Sequence, residues 1–291
     1  MHKSPYIPSR PEIDNVVDDM PANLDLEVKL SVFERLWGNS AFRRTVILIS
    51  IAILWEAYGA YTNNPLLFPR FSDTLVALWQ NLFHGPLLER IGSSLKVLLM
   101  GYGLGIALAA VLVTLAVSTN LGQDLLTTLT AMFNPLPAIA LLPLALLWFG
   151  LGVSSLIFVI VHSVLWAVAL NALSGFKSVN STLRMSGQNY GLKGARYVAF
   201  LLMPAALPSI ISGLKIGWAF SWRTLIAAEL VFGASSRSGG LGWFIYESRN
   251  MLDTSAVFAG LFVVIIIGLF VESVIFRFIE KRTIHRWGMQ G

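Results

Sequence analysis

Cysteine is absent and charge is scarce: only 13% of the 291 residues are Asp, Glu, Lys or Arg. Without a thiol there is no disulfide framework, no thiolate metal site and no cysteine nucleophile. A soluble domain carries roughly 25% charged residues, so half that share argues against a single soluble globular domain. The four histidines are scattered without metal-ligand spacing. No Gly-x-x-x-x-Gly-Lys-Ser/Thr run occurs, and even the dipeptide Gly-Lys is missing, so the chain has no phosphate-binding loop of that kind. No Gly-x-Ser-x-Gly elbow of a serine hydrolase occurs either. No catalytic residue, metal site or bound cofactor is expected.

What is abundant is apolar: 55% of residues are hydrophobic and the mean hydropathy is +0.68. A spanning helix needs about 20 mostly apolar residues. Six stretches qualify, at residues 45–61, 95–117, 129–149, 154–173, 205–232 and 257–278. The expected fold is therefore an all-α integral membrane bundle of six transmembrane helices. A net charge of +5 fits a membrane protein with basic inner loops as well as a nucleic-acid binder. The apolar content decides for the bilayer and against nucleic acid.

Residues 1–42 are polar, with seven acidic and four basic side chains. They lack the apolar core of a secretory signal. They read as a cytoplasmic tail with a short amphipathic helix around residues 26–37. The membrane domain is then 43–282, with a second tail at 283–291. Lys and Arg counts set the orientation. With the N-terminus inside, the inner segments hold 14 Lys/Arg and the outer ones only Arg70, Arg90, Arg237 and Arg249. Both termini are expected to be cytoplasmic.

Several residues inside the spans stand out. Gly101, Gly105 and Ala109 form a small-residue stripe that lets two helices pack closely; a face that slides during a cycle is the alternative reading. The third span carries Pro135, Pro137 and Pro143 just after Asn134. Each proline removes a donor and crowds the carbonyl four residues back. The expectation is a broken or kinked helix, either beside a pathway or merely shaping the packing. Charge within a span is expensive and tends to be functional. Arg223 therefore reads either as a contact for an anion on the path or as a partner of Glu56 or Glu272. Glu229 is expected near the outer end, solvated. His162 is expected to be a satisfied packing residue, and Lys96 and Lys215 to snorkel. The candidate substrate path is Asn134, Pro137, His162, Arg223 and Glu229.

Residues 174–203 form a long inner loop with Lys177, Arg184, Lys193 and Arg196 and no acidic residue. Residues 181–190 can form a short helix, Gly191 can end it in a left-handed turn, and residues 192–202 can form a second helix running into Pro204. Such an elbow under a bundle is a docking surface for a soluble partner, or simply a solvated basic loop. The run Met185-Ser186-Gly187, three residues, Gly191, nine residues, then Leu201-Leu202-Met203-Pro204 resembles the "EAA" loop of ABC importer permeases. Met185 stands where that family usually has glutamate. Asn134-Pro-Leu-Pro-Ala, Leu142-Pro-Leu-Ala-Leu-Leu-Trp-Phe-Gly, Pro204-Ala-Ala-Leu-Pro-Ser-Ile, Trp222-Arg-Thr-Leu-Ile-Ala-Ala-Glu-Leu and the ending Arg286-Trp-Gly-Met are similar to its nitrate/sulfonate/taurine/bicarbonate branch.

The resemblance implies a type I ABC importer permease in a bacterial cytoplasmic (inner) membrane. It implies two cytoplasmic P-loop ATPase subunits that bind ATP and Mg, and a periplasmic or lipid-anchored substrate-binding protein. It also implies a second permease subunit, here a homodimer since one chain carries a complete elbow. Coupling to the ATPase would fall to Met185, Ser186, Gly187, Tyr190, Gly191, Leu192, Lys193, Arg196 and Pro204. The implied cargo is a small anionic solute such as a sulfonate, taurine or nitrate. Alternatives are a neutral vitamin precursor in the same class, or an ion-coupled secondary transporter, which would show internal repeats or several buried acids. An intramembrane enzyme lacks any supporting motif.

Overall fold

A computed structural model describes Glu34, residues 37–232 and residues 239–283. Most of the expected helix around residues 26–37, Arg237 and the ending Arg286-Trp-Gly-Met lie outside them. Among the described residues the chain is helical, without strands. This suits segments whose backbone groups must be satisfied within themselves inside lipid. In order the helices are α1 (Ser40–Thr62), α2 (Phe71–Phe83), α3 (Leu87–Ser118), α4 (Asn120–Phe133), α5 (Leu142–Phe149), α6 (Val153–Ser178), α7 (Ser181–Asn189), α8 (Gly194–Tyr197), α9 (Met203–Ala205), α10 (Leu207–Phe232), α11 (Leu241–Asn250), α12 (Thr254–Phe270) and α13 (Arg277–Thr283). A 3-10 turn, Ala138–Leu141, leads into α5. Wide π turns, Val198–Leu202 and Val271–Phe276, follow α8 and α12.

Four helices are long and apolar enough to cross a membrane: α1, α3, α6 and Thr254–Thr283. The number rises to six if each of two bent pairs is one span. The third expected span is one such pair. Its halves, α4 and Ala138–Phe149, meet at 89°. The cause is local: Pro137 is extended at φ −61°, ψ 122°, and neither it nor Pro135 can donate to a helical ladder. Pro143 sits in the first turn of α5, where no donor is needed, and breaks nothing. In the fifth span the bend lies at the entrance. Val198–Ala205 meets Leu207–Val231 at 72°, and α10 itself runs unbroken past Arg223 and Glu229.

Two compact units divide the chain, residues 1–53 and 54–291. In the first, Asn39 caps the start of α1 by accepting from the Ala41 amide at 2.9 Å. In the second, α6 is central: 56% of its most apolar stretch is buried, against 33% for α3. The glycine stripe of α3 packs on it. A Cβ at Gly101 would stand 2.6 Å from Ile160 Cγ2, and one at Gly105 would stand 2.8 Å from Val164 Cβ. On the other flank a Cβ at Gly213 of α10 would stand 2.7 Å from Asn171 Cβ. Tyr102 closes the triangle by donating from its hydroxyl to the Leu214 carbonyl at 2.7 Å. The small residues thus hold three helices at close range.

Candidate functional site: a cavity at a broken helix and a glycine-turned elbow

The break at Asn134–Pro137 opens a cavity of about 340 Å³ against α6 and α10. Four of the five path candidates meet there. Asn134 and Pro137 come from the break, His162 from α6 and Arg223 from α10. Nothing in their spacing along the chain foretold this convergence. Ser163 and Thr224, absent from the sequence reading, line the same cavity and tie α6 to α10 by a 2.9 Å hydroxyl pair.

Arg223 donates from Nε to the Ala219 carbonyl at 2.9 Å, and its guanidinium lies 5.2 Å over the Phe220 ring. The expected pairing with Glu56 or Glu272 is not formed. Glu56 accepts from the Ser72 amide and hydroxyl at 2.9 and 3.0 Å, tying down the start of α2. Glu272 stands 3.6 Å from Lys215, which also reaches Glu280 at 3.9 Å. Lys215 therefore sits between two carboxylates rather than merely snorkelling. Among the described residues no carboxylate neutralises Arg223.

His162 corrects a second expectation. It is packed by rings, with Phe133 at 6.4 Å and Trp166 at 6.2 Å. Yet both ring nitrogens are buried without a hydrogen-bond partner among the described residues. A buried polar atom left unpaired costs about 1–3 kcal/mol. In a cavity that also holds an unneutralised guanidinium, that capacity is available to a polar guest or to water.

Glu229 is neither in this cavity nor solvated; it is 4% exposed. Its carboxylate accepts from the Ser94 hydroxyl at 2.8 Å and from the Gly242 amide at 2.8 Å, while Ser94 Oγ accepts from the Leu241 amide at 2.7 Å. The pair thus caps the positive start of α11 with a buried anion. Arg90 adds a second tie, donating to the Gly239 carbonyl at 2.9 Å and standing 3.8 Å from Glu247. The Gly239-Gly240-Leu241-Gly242 run carried a readable signal, since glycines opening a helix allow an anion to approach the backbone. Glu229→Ala leaves the Gly242 amide and the Ser94 hydroxyl without their acceptor. It should lower thermal stability in detergent by about 1–3 kcal/mol, seen as an earlier midpoint in a size-exclusion melting series, with Glu229→Gln losing less.

The elbow follows the sequence closely. Asn180 caps α7 by accepting from the Thr182 amide at 2.8 Å. At the other end Gly191 has φ +77°. Gly191 N–H bonds the Gln188 carbonyl at 2.9 Å, and Leu192 N–H bonds the Gly187 carbonyl at 3.0 Å. This is the paired 5→2 and 6→1 pattern of a Schellman cap. Helix resumes at Gly194, and the Leu201 side chain packs on the bare backbone of Gly187. Met185 and Tyr190 are 57% and 89% exposed, and Lys193 and Arg196 are exposed beside them. Pro204 opens α9 at the bend before α10. Arg184 turns inward: it donates to the Phe176 carbonyl and, at 3.1 Å, to the Val179 carbonyl, covering the open end of α6.

Long apolar helices, two broken crossings around a carboxylate-free cavity, and an elbow with exposed apolar side chains define a membrane transport subunit. The chain belongs to the family described as "Binding-protein-dependent transport system inner membrane component", which matches residues 101–285. It is similar to the taurine transport system permease protein TauC of Escherichia coli, 30% identical over 236 residues that cover 78% of this chain and 82% of that one. It is also similar to the nitrate import permease protein NrtB of a Synechocystis strain, 29% identical over 254 residues, 84% of this chain and 90% of that one. It is thus an ABC importer permease of the taurine, sulfonate and nitrate group, a multi-pass membrane protein with the type I permease fold, and a transport subunit rather than an enzyme. Among the described residues no His, Asp and Glu cluster could hold a metal ion.

Proposed function

We propose that this permease conducts a small anionic solute, sulfonate-, taurine- or nitrate-like, through the cavity at Asn134, Pro137, His162 and Arg223. The observation that carries the reading is the composition of that cavity: a guanidinium and an imidazole with spare capacity, and no carboxylate among its lining residues. Inside a low-dielectric bundle one such cation attracts an anion far more strongly than in water. A lone, exposed Arg223 is a guide rather than a cage, and conduction needs release as much as capture.

The energy comes from a partner. Two cytoplasmic P-loop ATPase subunits, binding ATP and Mg, dock on the elbow through Met185, Tyr190, Lys193 and Arg196. Gly187, Gly191, Leu192 and Pro204 give the elbow its shape. A substrate-binding protein delivers the solute at the opposite end, near α11. The permease pairs with a second copy of itself. It sits in the bacterial inner membrane with both termini cytoplasmic, as the excess of Lys and Arg on that side supports. The permease has two states, one favoured by the loaded binding protein and the other by ATP.

Gentle purification of the tagged chain from its native membrane, followed by mass spectrometry, tests this. A P-loop ATPase at one copy per permease, with an extracytoplasmic binding protein whose ligand is an anion, is the expected result. Absence of an ATPase, with uptake that follows an ion gradient, would transfer the protein to the secondary transporters.

A further inference from the structure

A second cavity, of about 410 Å³, adjoins the first toward the elbow end of α6. Its polar lining is Thr127, Thr130 and Asn134 on one side and Ser174 and Lys177 on the other. Asn134 and Pro135 line both cavities, so the helix break is their shared wall. No carboxylate lines either one.

Thr130 is the informative residue. Several helical threonines spend their hydroxyl on the carbonyl four residues back, among them Thr114 on Ala110 and Thr127 on Gln123, at 2.7 and 2.8 Å. Thr130 does not. It is 6% exposed, and its Oγ1 is buried with no partner among the described residues. A hydroxyl, a carboxamide and an ammonium therefore meet in one cavity, and the hydroxyl is idle. Lys177 makes no ion pair among the described residues. Its place in the last turn of α6 complements the helix dipole, which accounts for the lysine but leaves the idle threonine unexplained.

We infer that Thr130, Asn134 and Lys177 form a second anion-holding station, inward of Arg223, for a small oxyanion such as a sulfonate, with Asn134 handing the ion from one cavity to the next. The inference rests on the reading that the Arg223 cavity lies on the path. Two weak stations in series suit conduction, because neither has to hold its ion tightly.

The chain's lack of cysteine makes a direct test possible. Thr130→Cys is introduced into the complete transporter in inside-out vesicles. The vesicles are treated with a sulfonatoethyl methanethiosulfonate or its trimethylammonium counterpart, and the mass gained by this chain is followed. The anionic reagent should react at least about fivefold faster, because Lys177 draws it in, and adding Lys177→Gln should erase the preference. Ser174→Cys serves as a second reporter if the first variant folds poorly. Equal rates, a preference for the cation, or no labelling at either position would overturn the station. If the preference disappears with Arg223→Gln but survives Lys177→Gln, the selectivity belongs to the first cavity alone: the station fails and the path reading stands. Nitrate and taurine uptake that ignores Arg223→Gln would instead count against the path reading, whatever the labelling shows.

Discussion

Arg223→Glu should lower uptake of an anionic solute at least tenfold, with Arg223→Gln intermediate and Arg223→Lys the mildest. The residue lines the cavity at the helix break without a carboxylate partner among the described residues. A unit charge some 6 Å away at an effective dielectric of about 20 is worth on the order of 3 kcal/mol. Exposure of the side chain reduces that toward about 1 kcal/mol, and reversing the sign doubles what remains. Initial rates of nitrate and taurine uptake, normalised to permease in the membrane, are the measurement. Fold should survive, because the lost contacts are one hydrogen bond to a backbone carbonyl and a ring face. Full uptake by the glutamate variant would remove Arg223 from the path.

Gly191→Val should separate ATP hydrolysis from transport. At φ +77° an L-residue pays roughly 1–2 kcal/mol, and a β-branched one pays more. A Cβ at Gly191 meets nothing within 4 Å, so the whole effect passes through the backbone: the two bonds of the cap loosen and the elbow changes angle. Asn, which tolerates the left-handed region, is the control and should restore most of the uptake. Gly187→Val is the opposite case, since its side chain would collide with Leu201 and the damage would show as lost folded protein. The readout is ATPase rate against uptake in reconstituted vesicles. Hydrolysis should persist while uptake falls severalfold in Gly191→Val. Normal uptake would count heavily against a coupling role for the elbow.

What the chain disclosed about itself follows the range of the forces involved. The outline of the elbow was readable, a short helix ended by a left-handed Gly191, because a cap is local: Gly191 and the Gly187–Leu192 bond that closes the turn lie within six positions, while the Asn180 cap at the other end drew no attention. The proline break was readable for the same reason, down to its place after Asn134. The cavity was half readable. Arg223 and His162 drew attention as polar groups in apolar spans, but only packing brings them to the break. Ser163 and Thr224 carried no signal, being small hydroxyls 61 positions apart. Glu229 was misjudged because its partner Ser94 lies 135 positions away. Distance from the helix middle suggested solvent, whereas the glycine run after residue 238 brings backbone amides to it instead. Arg184 was counted as part of a basic loop, and its bonds to two carbonyls could not be inferred from composition.

The coupling proposed for the elbow would draw on those two bonds. Arg184 clasps the elbow to the last turn of α6, so that a push on α7 by a docked partner would reach α6 as on a rod rather than be dissipated in a hinge. From Phe176 up to His162 that rod runs about 21 Å at the usual rise, unbroken and flanked by close glycine contacts. The neighbour across both cavities is the opposite kind of element, a helix broken after Asn134 into two pieces that meet at 89°. In the proposed cycle, a stiff lever beside a broken one would convert a tilt at the elbow into a change of width between them, and the gap to open or narrow would be the space lined by Arg223, His162 and Asn134.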